Sequence, residues 1–147
     1  MLFALAESGE VELILAPQGH RDDAPTGRLA EQIADLIGKR RVRQARQLAR
    51  LSDVTYPSEQ LFPGQYVNGF SEAWCAVLDS WRTDEAKRPG DKDRWHVETH
   101  ILEGADVFIT DDRPLLVMCR RLREDHAIPV VAMRLEEYLE ARSPSVE

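Results

Sequence analysis

Gly104-Ala-Asp-Val-Phe-Ile-Thr-Asp-Asp-Arg-Pro-Leu-Leu116 is the stretch that decides the fold class. Val107-Phe-Ile109 is a short apolar run, long enough for a buried strand. It ends in Thr110-Asp-Asp112, and Pro114 then opens a segment of helical character. Carboxylates at the carboxyl end of a buried strand stand where open α/β sheets place their ligands.

Outward from this stretch the pattern continues in both directions. A helix is predicted over 92–103, closed by Gly104 as its C′ residue. After a strand at 106–110 come a helix at 114–124, a strand at 128–132 and a helix at 134–142. Such alternation implies crossovers, a parallel sheet and helices on both of its faces, so the fold class is α/β. Toward the N-terminus, residues 2–8 read as a helix closed by Ser8-Gly9. Val11-Glu-Leu-Ile-Leu-Ala16 reads as a strand stopped by Pro17 and Gly19. Thr26 caps a further helix striped with Leu29, Ile33, Leu36 and Ile37. Gly38 separates it from a basic helix at about 39–50. Residues 52–70 are loop-like, and Ser71 is expected to cap a helix carrying Trp74, Cys75, Val77, Leu78 and Trp81. Residues 24–90 are thus mainly helical, within a single domain of 1–142 and a frayed tail of 143–147.

Composition narrows the function classes. A chain of 147 residues with 43% hydrophobic and 31% charged content is an ordinary globular domain. No apolar run approaches the length of a membrane span. The N-terminus has no basic n-region and does not read as a signal peptide. Cys75 and Cys119 show neither metal-ligand spacing nor a disulfide framework, which suits core packing in the reducing cytoplasm. A net charge of −7 argues against a wholly basic nucleic-acid surface. It hides a local run, however: Lys39, Arg40, Arg41, Arg43, Arg46 and Arg50 are six cations uninterrupted by an acid. Such a run can meet RNA phosphates by counterion release. Alternatively it is a solvated helix face with Val42, Ala45, Leu48 and Ala49 turned inward.

The acids form a second pattern. Asp93 lies on the first turn of its predicted helix, and Asp112 follows nineteen residues later, just past the next strand. A helix antiparallel to the strand it precedes starts at that strand's carboxyl end, so both acids reach one edge of the sheet. Asp22 and Asp23, past strand 11–16, reach the same edge if the strands are parallel. Clustered carboxylates repel unless a cation neutralises them, and Mg²⁺ or Mn²⁺ suits oxygen donors. Taken singly, Asp93, Asp111 and Asp112 each read better as a helix cap, and only in combination do they read as a functional rim.

Asp93-Arg-Trp-His-Val-Glu-Thr-His-Ile-Leu-Glu-Gly-Ala-Asp-Val-Phe-Ile-Thr-Asp-Asp112 resembles the PIN-domain nucleases. In that family an Asp opens a helix, and a Gly-Ala/Asp turn leads to a strand ending Thr-x-Asp. Residues 128–139 resemble the family's ending, and residues 2–15 its first helix and second strand. The resemblance implies a three-layer α/β/α fold around a mostly parallel sheet. It further implies divalent-metal-dependent hydrolysis of RNA phosphodiesters, with Asp93 and Asp112 as metal-binding acids. Asp111 falls in the variable slot of the signature, and Asp22 or Asp23 stands where the family usually has Glu. The basic stretch would then track the RNA backbone. The family includes toxins neutralised by an antitoxin, and its members often pair as homodimers.

The chain departs from the family at its front. PIN domains begin with a central apolar strand ending in a principal metal-binding Asp, and no such run precedes residue 22. We therefore expect Met1 to be an internal Met of a longer natural protein, or the gene to be decayed. A non-catalytic PIN-like module that binds RNA or a protein partner is the alternative function. An unrelated α/β protein whose acids are caps is a third. Among other residues, His96 and His100 share a helix face without the Glu placement of a zinc protease. His20 could orient a phosphate, and His126 could meet helix-end carbonyls. Trp74, Trp81 and Trp95 read as core.

Overall fold

The structure, a computed structural model, describes residues 1–15, 27–45, 69–81 and 88–143. It is a mixed α/β protein, with six helices and four short strands among the described residues. The strands form two small parallel sheets, each in one of two compact units, Met1–Gln47 and Leu48–Glu147.

In the first unit, α1 (Leu2–Ser8) precedes β1 (Leu13–Leu15), and α2 (Gly27–Gly38) precedes β2 (Val42–Gln44). Helix α1 ends where its sequence predicts, because Gly9 adopts φ 82° and its amide bonds back to the Ala6 carbonyl. A Cβ at Gly9 would stand 3.0 Å from Nη1 of Arg41, the movable end of an exposed side chain, so it is the backbone conformation that calls for glycine here. Strands β1 and β2 pair in parallel with Leu13 opposite Val42 and Leu15 opposite Gln44.

The basic helix expected over 39–50 does not form at 42–44, which is strand β2. The amides of Arg40 and Arg41 close α2 onto the carbonyls of Ile37 and Leu36, and Arg40 takes φ 57°. Beyond that stop the β-branched Val42 is 2% exposed beside β1. Burial of this one side chain against a neighbouring strand is worth about 1.5–3 kcal/mol, more than the small helix preference of the flanking Arg residues. The stripe expected on α2 is only partly used: Leu36 is buried, while Leu29 and Ile37 are exposed.

The second unit holds α3 (Phe70–Asp79), α4 (Asp91–Glu103), β3 (Phe108–Ile109), α5 (Arg113–His126), β4 (Ala132–Met133) and α6 (Leu135–Arg142). The predicted order of helix, strand, helix, strand, helix from residue 91 onward is observed. Strand β4 starts later than expected, because Ile128 and Val130 pack into the core before pairing begins. That core joins Phe70, Trp74 and Val77 of α3, Val97 of α4, and Leu115, Met118, Cys119 and Leu122 of α5. Gly104 closes α4 at φ 64°, as its position implies. Ser71 does not cap α3: Gly69 precedes the helix, and Ser71 is buried one residue inside it. Cys119 is core, as expected, whereas Cys75 is exposed on the outer side of α3.

Helix α4 has an unusual interior. Val97 to His100 are buried at four successive positions, so burial here is not confined to one face of the helix. Arg94, Glu98, Thr99 and His100 are all buried. Buried polar groups of this kind are kept only with hydrogen-bond partners. One is explicit: Arg94 donates from Nη2 to Ser71 Oγ at 2.8 Å.

Candidate functional site at the carboxyl end of strand β3

Strand β3 pairs in parallel with β4, Phe108 opposite Ala132 and Ile109 opposite Met133. The Thr110 amide extends the ladder by donating to the Met133 carbonyl at 3.1 Å. Thr110, Asp111 and Asp112 leave the strand at its carboxyl end. Thr110 Oγ1 accepts from the Asp112 amide at 3.2 Å, and Asp112 Oδ1 accepts from the Leu115 amide at 3.0 Å. Asp112 is therefore the N-cap of α5, whose fourteen residues follow with Pro114 in the first turn.

Asp93 has an equivalent local duty on α4: its Oδ2 accepts from the Gly90 amide at 2.8 Å. Its charge is also felt two turns into α5. Burial first, and Asp93 second, push the Cys119 thiol up to about 12. Asp111 is exposed, and its Oδ1 lies 3.5 Å from Nε of Arg134, the residue immediately after β4. A surface pair of this length is worth about 0–1 kcal/mol.

Asp111 and Asp112 thus follow the carboxyl end of β3, and Asp93 sits in the first turn of α4. Among the described residues no group of three or more His, Cys, Asp or Glu side chains is placed to hold a metal ion. Asp22 and Asp23 lie outside the described residues, as do Arg46 and Arg50. The rest of the basic stretch is in the first unit. Lys39 pairs with Asp35 at 2.9 Å and Glu7 at 3.2 Å, and these two carboxylates hold its ammonium above the usual range. Arg43 pairs with Glu12. Arg40 and Arg41 are exposed.

The histidines divide. His96 is half-buried, whereas His100 is buried with its ring centroid 5.8 Å from that of Phe108. Burial lowers the His100 pKa, and Asp106 opposes that shift. Glu98, two residues earlier, is pushed up to about 7 by burial. Of the tryptophans, Trp74 is core, and Trp81 packs at the core's margin with the Arg121 guanidinium 5.1 Å from its ring centroid.

Reading the sequence missed Arg134, Glu98 and the Arg94–Ser71 contact. Arg134 carried a usable signal, since it follows a predicted strand and precedes Glu137 at capping-box spacing. The other two depend on burial of a helix with no apolar stripe.

No family model matches the chain, and neither a curated protein nor a solved structure matches it. Among the described residues no helix is long and apolar enough to cross a membrane.

Proposed function

We propose that the chain is a PIN-like domain of three-layer α/β/α type acting as a divalent-metal-dependent ribonuclease in the cytoplasm. The observation that carries this reading is the placement of Asp111 and Asp112 directly past the carboxyl end of parallel strand β3. Asp93 opens the helix that leads into the same strand. Open α/β sheets bind ligands at that edge. Asp93 and Asp112 would hold Mg²⁺ or Mn²⁺, each through the carboxylate oxygen other than the one at its cap. Two carboxylates suit Mg²⁺, which keeps several waters and completes its shell with substrate phosphate. A bound divalent ion supplies an activated water and neutralises charge on the scissile phosphodiester. The protein's own part is to fix both acids by backbone hydrogen bonds before substrate arrives. Arg40 and Arg41 are the exposed cations proposed to contact RNA.

Manganese titration followed by calorimetry tests the reading. One saturable site that vanishes in Asp112→Asn, with loss of RNA cleavage, is the expected result. The Asn side chain keeps a cap acceptor, so helix content should be unchanged. Equal Mn²⁺ binding by wild type, Asp93→Asn and Asp112→Asn would overturn it.

One observation favours a second reading. Asp93 and Asp112 both serve as caps, with no three-donor group among the described residues. A non-catalytic PIN-like module needs only those caps. It would retain RNA, or an antitoxin-like protein partner, without cleavage and equally well in Asp112→Asn.

A further inference from the structure

We propose that Arg134 is a phosphate-binding residue of the β3–β4 edge, held ready by Asp111 and handed to an RNA phosphodiester when substrate arrives. The proposal rests on the reading of this edge as an RNA site. The ladder that ends in the Thr110–Met133 hydrogen bond makes the two chains leave the sheet side by side. Asp111 and Arg134 consequently stand at the same edge, next to Asp112. The main chain at Arg134 is set independently of its side chain. It is extended at φ −72°, ψ 154°, and its amide donates to Glu137 Oε2 at 2.9 Å as α6 begins. The guanidinium is left to lean on Asp111 at 3.5 Å, with side-chain exposures of 55% and 74%.

An exposed pair this loose contributes little to stability, so breaking it to engage another oxyanion costs little. Its chemistry fits exchange. A guanidinium fork presents parallel N–H donors that match two oxygens of a phosphate, and trading one exposed oxyanion for another carries a small penalty. Asp111 therefore acts as a stand-in for the phosphate, released when substrate arrives. It keeps the cation over the acid edge and limits its wandering into solvent. The same Asp111 charge competes with phosphate, so its removal should tighten RNA binding.

Fluorescence anisotropy of a labelled single-stranded oligoribonucleotide tests this, in EDTA so that cleavage cannot deplete the probe. The dependence of log affinity on log salt is measured for wild type, Arg134→Ala, Arg134→Lys and Asp111→Asn. Arg134→Ala should bind about 3- to 10-fold more weakly at 50 mM salt and lose roughly 0.7 from the slope, one phosphate contact. Arg134→Lys should keep the slope, and Asp111→Asn should bind more tightly. Thermal melts should show all variants folded, since any residue but proline retains the amide bond to Glu137. A wild-type slope and affinity in Arg134→Ala would overturn the proposal, as would absence of RNA binding by wild type. RNA binding lost in Arg134→Ala, alongside a protein that neither binds Mn²⁺ nor cleaves, would sustain this inference while the nuclease reading fell.

Discussion

Arg94 on α4 donates to Ser71 on α3 across 23 residues of sequence, and both side chains are buried. Phe70, beside Ser71, also places its ring 5.9 Å from the same guanidinium. A buried hydrogen bond to a charged group is worth about 1.5–3 kcal/mol. Ser71→Ala should therefore lower unfolding free energy by about that much, and Ser71→Thr by less. Urea denaturation followed by circular dichroism measures both.

The two capping acids separate stability from metal chemistry. Asp112→Ala should cost about 1 kcal/mol, whereas Asp112→Asn should stay within a few tenths. If the edge binds a cation, Mn²⁺ at a hundred times its Kd should stabilise the wild type by about 2.7 kcal/mol. Asp112→Asn should gain nothing from Mn²⁺. Melts with and without the metal read both effects in one series.

Helix α4 also predicts a pH dependence. Burial raises Glu98 from 4.5 to about 7, so the native state holds its proton more tightly than the unfolded chain. Its contribution is complete below pH 4.5 and is lost as pH rises through about 7, by at most roughly 1.4 kcal/mol per pH unit. His100 has the opposite sign. Its pKa is lowered from 6.5, so its contribution is complete above pH 6.5 and falls on acidification. Glu98→Gln should be more stable than wild type at pH 8 and nearly equal to it at pH 4. The variant should then show only the acid-side loss from His100. Urea midpoints across that range decide it.

Ala127 and Gly104 make a pair of opposite predictions. Both follow helices in the left-handed region, Ala127 at φ 55° and Gly104 at φ 64°. Ala127→Gly should stabilise by about 0.5–1 kcal/mol, since the Cβ strain outweighs the added freedom of the unfolded chain. Gly104→Ala should destabilise by about 1 kcal/mol through conformation alone, because nothing lies within 4 Å of the new Cβ. Thermal melts of the two variants check the signs.

What the sequence by itself determined is local. Gly9 and Gly104 close their helices because only glycine takes that backbone conformation without strain. Asp112 caps α5 because a carboxylate three residues before Leu115 meets its amide at once. The alternation from residue 91 onward was legible because β3, β4 and α5 carry their own apolar runs or stripe, and Gly104 and Pro114 mark the helix boundaries between them. Tertiary structure alone decided the rest. The cations after Gly38 read as helical in isolation, and only Leu13 on a partner strand makes Val42 a strand residue. Helix α4 has no apolar stripe, so burial of Arg94, Glu98 and His100 could not be read from its periodicity. Arg134 and Asp111 meet because a parallel register delivers both to one edge, and register is a property of paired strands, absent from either strand alone.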